Sequence, residues 1–360
     1  MIGLLTAFFT SFVVTLLIIK FEHLHQRLTG DYDFSGPQKM HTRSVPRIGG
    51  VSIALGLLAA TLVKLSGHFA IAYEVTFFLC ATPTFLIGLA EDLTKRIGVK
   101  PRLFLTALSA FFATQLLGAV ITSLNIPGID SALQIQSISV IFSIFAITGL
   151  ANAYNIIDGF NGLASMVGII TLMALGYVSL KVNDPVLLSL CFVMLAAIVG
   201  FFIWNYPAGL IFLGDGGAYL IGFWIALIST LLVNRHPEIS PWFALLINAY
   251  PIVETLFTIY RRKIHQNKNP GHPDGMHFHT LLYRRIFNNH QQGNRDNLLS
   301  ANARTSPYLW LLSSIAIIPA VIWWRSTPIL LSFTLIFCIL YWWLYRQIVY
   351  FKTPRWLHID

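Results

Sequence analysis

Five acidic residues, Glu91, Asp92, Asp158, Asp215 and Asp274, stand at or near the ends of long apolar segments. Carboxylates gathered at one depth offer oxygen to a hard cation; magnesium takes one or two of them, keeps several waters and draws its other ligands from substrate phosphate. Glu91 and Asp92 adjoin at the end of an apolar run, where a helix macrodipole favours cations. Paired acids there point to a bound metal or a functional constraint as readily as to a solvated helix end. Asp158 lies among Asn152, Asn155 and Asn161 directly after another run. Capping the next helix needs one such residue, not four, and polar groups at membrane depth are costly unless paired or lining a wet cavity. Asp215, within Phe212-Leu213-Gly214-Asp215-Gly216-Gly217, suits a helix N-cap taken alone and gains weight from the carboxylates in its company. The neighbouring glycines let backbone approach a ligand and leave amides to face phosphate.

His277 and His279 are spaced by one residue near Asp274. A catalytic zinc site needs a further ligand beside such a pair, so a phosphate or diphosphate contact in this basic stretch is the better reading. His265, His272 and His290 read as surface residues. Glu254, inside an apolar run, has no visible partner and reads as helix packing against polar neighbours ahead of a proton-relay role. Trp323, Trp324, Trp342 and Trp343 read as an interfacial aromatic belt.

The elements that must position these residues are membrane helices. Of the 360 residues 56% are hydrophobic and only 11% charged, which excludes a soluble domain of this length. Eleven stretches are long and apolar enough to span: 2–20, 48–66, 70–90, 102–122, 136–155, 162–181, 185–204, 217–234, 241–260, 307–325 and 327–345. The expected fold is therefore all-α and polytopic, with about 11 transmembrane helices, ten being the alternative, in a single integral membrane domain over 1–360. The first stretch lacks a preceding basic residue and a following small-residue cleavage site, and reads as a retained helix. If odd-numbered helices run inward, every Lys and Arg but Lys64, Lys181, Arg235 and Arg325 falls on one side, which the positive-inside rule makes cytoplasmic. The expected cytoplasmic loops are 21–47, 91–101, 155–161, 205–216 and 261–306; the N-terminus is periplasmic and the C-terminus cytoplasmic. That asymmetry accounts for most of the net charge of +9, so nucleic acid is not implied, whereas anionic lipid headgroups and phosphorylated ligands suit the basic face. Cys80, Cys191 and Cys338 fall inside spans and carry no disulfide or zinc spacing.

In order along the chain come Pro46-Arg47-Ile48-Gly49-Gly50, the acidic pair, Asn152-Ala153-Tyr154-Asn155-Ile156-Ile157-Asp158-Gly159-Phe160-Asn161-Gly162, the Phe212–Gly217 motif and a His-x-His loop. This order resembles the polyprenyl-phosphate N-acetylhexosamine-1-phosphate transferases over about residues 37–285. The resemblance implies a membrane enzyme of the bacterial inner membrane with its site at the cytoplasmic face. It implies transfer of a sugar-1-phosphate, GlcNAc-1-phosphate first, from a UDP-sugar to undecaprenyl phosphate. UMP leaves, magnesium assists with manganese as a substitute, and surface polysaccharides such as O-antigen are served. By motif, Asp215 resembles the magnesium ligand, with Asp158 beside it as ligand or catalytic acid, and Phe212 the aromatic that stacks on uracil. Asn155, Asp158 and Asn161 resemble nucleotide and diphosphate contacts. Glu91 and Asp92 resemble the acidic pair near the lipid phosphate, and His277 and His279 the sugar-phosphate loop. Lys39, Arg43, Arg47 and Lys95 offer further positive charge, Lys39 and Arg47 foremost as substrate contacts. A phosphate monoester has its second pKa near 6, so the acceptor is largely dianionic at neutral pH; Glu91 and Asp92 are expected mainly to position.

Three departures bear on substrate. Glu91 replaces the first Asp of the usual pair, Asn161 stands where Asp is frequent, and Gly275 and Thr280 stand at the expected Arg and last His of the histidine loop. Phospho-MurNAc-pentapeptide transfer, UDP-QuiNAc or UDP-FucNAc donors, and a homodimeric state stay open at this point. A secondary transporter is the reading from another class, but transporter sites lie near the bilayer midplane, whereas these acids lie at the boundary.

Overall fold

The computed structural model describes residues 1–30, 44–64, 71–267, 274–287 and 295–351. It is all helical, with no strand among the described residues beyond an isolated bridge between Gly30 and Pro46. Chain order gives α1 (Ile2–Lys20), α2 (Glu22–Thr29), α3 (Gly49–Lys64), α4 (Ile71–Thr94), α5 (Val99–Leu116), α6 (Ile129–Leu133), α7 (Gln136–Ile157) and α8 (Leu163–Lys181). There follow α9 (Pro185–Asn205), α10 (Gly214–Arg235), α11 (Pro241–Ile247), α12 (Ala249–Tyr260), α13 (Phe278–Leu282), α14 (Arg295–Ile322) and α15 (Thr327–Val349), with π-helical turns at Arg261–His265 and Tyr283–Phe287.

Eight helices among the described residues have membrane length and apolarity, and a bent pair over 241–264 makes up to nine. The two other expected spans correspond to α3, shorter than the rest, and α5, which carries Lys100 and Arg102. Each of the eleven apolar stretches thus contains a helix, though three differ from expectation. The stretch 102–122 is helical only to Leu116, because Gly118 adopts φ +68 and turns the chain out of the helix. The stretch 241–260 breaks at Asn248 with a 76° bend. Pro251 has no N–H to give the carbonyl of Ile247, and at the break the Asn248 side chain donates to the Ala244 carbonyl at 2.9 Å. The penultimate helix begins at Arg295 and not at 307.

The hub is α10, apolar on every side and buried almost throughout. It packs against α3, α4, α7 and α8. A helix apolar all round belongs inside a bundle. Glycines allow the closest crossings: a Cβ on Gly222 meets Tyr154 Cβ at 2.7 Å, and one on Gly88 meets Gly216 Cα at 2.7 Å. At the end remote from the acidic motifs, Asp184 caps α9 by accepting from the Leu187 N–H at 2.9 Å and pairs with Arg235 and His236. Burial alone would raise the Asp184 carboxyl, but the Leu187 N–H, His236 and Arg235 outweigh it and hold it below its ordinary value. A lowered carboxylate stabilises the fold above its ordinary pKa and loses that contribution as pH falls through the folded value. Asp184→Ala is expected to cost about 1 kcal/mol near neutral pH, read as a lower unfolding temperature in detergent, with the gap from wild type closing as the medium is acidified. An equal gap at all pH values would contradict this.

Candidate active site

The acidic motifs meet where α3 and α10 begin and α4 and α7 end. Gly214 opens α10 at φ +76, and a Cβ there collides with the Arg47 carbonyl and comes within 2.6 Å of the Asp92 carboxylate. Only glycine admits both the conformation and the contact. With that space empty, Asp92 Oδ1 accepts from the Asp215 N–H at 2.8 Å and Oδ2 from the Gly216 N–H at 2.9 Å. Asp92 is 1% exposed. It caps α10 from another helix, satisfying two of the orphan donors of a helix start and meeting its positive end. Asp215 therefore does not cap α10; its side chain is free of that duty and turns to cations.

Those cations are two arginines. Arg47 Nη2 donates to Asp215 Oδ1 at 2.9 Å, and its Nε lies 3.5 Å from Asp92 Oδ1. Arg102 Nη1 pairs with Asp215 Oδ2. The Pro46–Arg47 segment is itself pinned to the Phe212 motif: the Phe212 N–H donates to the Pro46 carbonyl at 2.9 Å, and the Gly49 and Gly50 amides return to the Phe212 and Leu213 carbonyls at 3.0 and 2.9 Å. Phe212 keeps its ring half-buried at this junction. Arg102 was missed as a site residue from sequence and counted only toward topology; the available signal was a cation in the first turn of a helix, where the dipole opposes it.

Asp158 is not an N-cap either; it ends α7, and Gly162 precedes α8. Among the described residues its carboxylate has no hydrogen-bond partner, and it keeps an edge open alongside half-buried Asn155. Burial pushes the Asp158 carboxyl up to about 7, opposed by Arg47 and reinforced by the charge of Asp215. The charges of Arg47 and Asp215 thus both act on the Asp158 carboxyl.

Other expected residues serve the scaffold in this structure. Glu91 Oε2 accepts from the Ile97 N–H at 2.5 Å and braces the turn after α4, and Lys95 Nζ donates to the Gly30 carbonyl. Asn161 is buried; its amide donates to the Pro207 carbonyl at 3.3 Å, its N–H to Asn302 Oδ1 at 3.0 Å, and its carbonyl accepts from the Ser306 hydroxyl at 2.6 Å. Asn205 joins the same junction, accepting from the Gly162 N–H and donating to the Ile211 carbonyl. Asn302 carries no motif and was invisible in sequence. Lys39 lies outside the described residues, as do Arg43 and His272.

His277 and His279 stack, with ring centroids 5.1 Å apart and planes 12° from parallel. His279 packs edge-on against Phe160, and Gly159 sits so close that a Cβ there falls 2.9 Å from His279 Nε2. Burial pushes His279 down to about 3, with Glu254 and Asp274 opposing and His277 adding, so the ring is neutral at physiological pH. Glu254 has the partners that sequence did not reveal: His277, the Phe278 N–H and Tyr341. Arg261, on the first π-helical turn, pairs with Asp274.

Among the described residues no three His, Cys, Asp or Glu side chains gather at ligating geometry. What the site offers a divalent ion is a pair of oxygen-donor carboxylates in one neighbourhood, one of them without a protein partner. That donor set fits an ion completing its shell with phosphate and water. It does not fit a metal caged wholly by protein.

The sequence pattern of glycosyl transferase family 4 matches residues 75–233. A Thermotoga maritima undecaprenyl-phosphate alpha-N-acetylglucosaminyl 1-phosphate transferase is 30% identical over 281 residues, covering 78% of this chain and 79% of that protein. The enzyme of the same description from Yersinia pestis is 30% identical over 263 residues, 71% of this chain and 70% of its own length. A probable undecaprenyl-phosphate N-acetylglucosaminyl 1-phosphate transferase of Bacillus subtilis is 28% identical, with 78% of each chain covered.

Proposed function

Since this chain belongs to glycosyl transferase family 4, a multi-pass membrane glycosyl-1-phosphate transferase that acts on a polyprenyl phosphate, we propose that it transfers GlcNAc-1-phosphate from UDP-GlcNAc to undecaprenyl phosphate. UMP is the second product, and the lipid-linked sugar is the first membrane intermediate of a surface glycan. The observation that carries this reading is the pairing of Asp215 with Arg47 and Arg102 at one helix junction, where the charges of Arg47 and Asp215 reach the Asp158 carboxyl at the end of α7. A lipid phosphate oxygen must attack the sugar-linked phosphorus of a diphosphate, so an anion approaches an anion and fixed positive charge has to screen the encounter.

Arg47 and Arg102 supply two guanidinium groups, each able to grip phosphate with more than one N–H. Asp158 and Asp215 are the residues that would hold magnesium, with manganese able to replace it. When bound, magnesium would add positive charge at the donor's diphosphate and ease departure of UMP. Asp92 acts on Asp215 through the backbone and fixes where α10 begins, so it is a positioning residue. Phe212 offers a half-buried ring for a nucleobase, and Asn155 an amide for the donor. Because the acceptor phosphate is largely dianionic at neutral pH, no general base is required, and Glu91 remains bound to its own turn.

We assign the motif-bearing end to the cytoplasm of a bacterial inner membrane, with the N-terminus periplasmic and the C-terminus cytoplasmic, on the charge asymmetry of the loops. The missing last His of the histidine loop, Thr280 here, favours this donor over a MurNAc-pentapeptide donor. The test is a panel of UDP-sugars incubated with purified protein, magnesium and undecaprenyl phosphate, lipid products being identified by mass. UMP is expected from UDP-GlcNAc only when the lipid phosphate is present. Transfer from another UDP-sugar alone would replace the donor, and release of no UMP from any UDP-N-acetylhexosamine would end the proposal.

A further inference from the structure

Glu254 is the most thoroughly buried acid in the described chain, 0% exposed, and it lies on α12 beyond the 76° bend at Asn248. Its carboxylate gathers three donors from two other parts of the fold. Oε1 accepts from His277 Nδ1 at 3.0 Å and from the Phe278 N–H at 3.2 Å, and Oε2 accepts from the Tyr341 hydroxyl of α15 at 2.8 Å. The Thr258 hydroxyl, one turn along α12, stands 3.2 Å from the same His277 nitrogen.

An ionised carboxylate only accepts, so this contact requires the hydrogen of His277 to sit on Nδ1 and turns Nε2 to the opposite side of the ring. The ring plane is then transmitted: His279 stacks on His277, and His279 Nε2 abuts Gly159, the residue after Asp158. We propose that Glu254 is a positioning residue for the transfer reaction, acting through His277 to hold the histidine pair against the Asp158–Phe160 turn where the donor's sugar-phosphate is bound. This rests on the transferase reading for its catalytic meaning, while the holding itself does not. The bend at Asn248 sets the direction of the α12 arm that carries Glu254.

Leucine and glutamine separate this role from simple packing. Glu254→Leu fills nearly the same volume but accepts no hydrogen bond; Glu254→Gln keeps one acceptor oxygen for His277 and the Phe278 amide. Hydrogen–deuterium exchange is expected to rise across residues 274–287 in Glu254→Leu, with residues 214–217 unchanged, and to stay near wild type in Glu254→Gln. In turnover, Glu254→Leu is expected to lower kcat by about 10- to 100-fold, as loss of a group that orients a working histidine does elsewhere. In a His277→Asn background the same change is expected to add nothing, because both substitutions remove one device.

Leu behaving like Gln in exchange, or Glu254→Leu and His277→Asn losses that multiply, would overturn the proposal. Should Glu254→Leu fail to accumulate in the membrane, Tyr341→Phe takes its place: raised exchange over 274–287 supports the role and unchanged exchange rejects it. If the wild-type protein transfers no sugar-phosphate at all, the functional reading falls, and the exchange result still decides whether Glu254 holds the histidines.

Discussion

Asp215→Asn is expected to accumulate in the membrane and to lose turnover, by about a thousandfold or more, because it removes charge at the point where charge is managed. The substitution keeps the side chain's size, and the Asp215 N–H still donates to Asp92, so α10 still starts in the same place. What goes is an anionic oxygen pair that engages Arg47 on one side and Arg102 on the other. Arg102 then lacks the counter-charge that orders it and Arg47 keeps Asp92, and on the proposed reading a divalent ion would lose one of two carboxylates. The measurement is UMP release from UDP-GlcNAc in the presence of undecaprenyl phosphate, beside the amount of folded protein recovered in detergent. Wild-type turnover in this variant would remove Asp215 from the chemistry. Arg102→Gln is the companion: it leaves Arg47 on Asp215 and is expected to give a smaller loss of the same kind.

The second large effect concerns stability first and activity as its consequence. Asp92→Ala leaves the buried amides of Asp215 and Gly216 without an acceptor and half-buried Arg47 without one of its two acids. Leaving a buried donor without an acceptor costs about 1–3 kcal/mol for each amide, which is large against the stability of any single domain. A marked drop in unfolding temperature and near-complete loss of turnover are expected together. Asp92→Asn, with one acceptor oxygen left, should fall between. Loss of turnover in Asp92→Ala with an unchanged unfolding temperature would mean that Asp92 touches substrate and does not merely position Asp215.

The helices were legible because lipid demands long apolar runs, and the loops because charge and glycine had to go somewhere else. Less legible were the bend at Asn248, which needs the missing N–H of Pro251 to be weighed against a run that stays apolar throughout, and the shortened α5, ended by Gly118. Within the site, the motifs drew attention to Asp92, Asp158 and Asp215 as acids at helix ends. They could not tell Asp92, consumed by two backbone amides, from Asp215, open to arginines, since both read as acids at helix ends. Arg102 was hidden among loop charges whose collective role in orientation is sufficient to explain each one singly. Glu254 and Asn302 were hidden for a different reason: their partners lie 23 and 141 residues away, and no local pattern encodes a contact made across the fold.

The turn at Asn161 and Gly162 depends on α14, a helix that follows it far along the chain. Its N–H and carbonyls are met by Asn302, Ser306 and the indole of Trp310, all on α14. During synthesis the earlier spans emerge and pair while this turn, beside Asp158, still has those groups unmet. A nascent chain arrested before residue 300 would therefore lack the groups that complete this turn, and the junction between α7 and α8 is finished only once α14 packs against it.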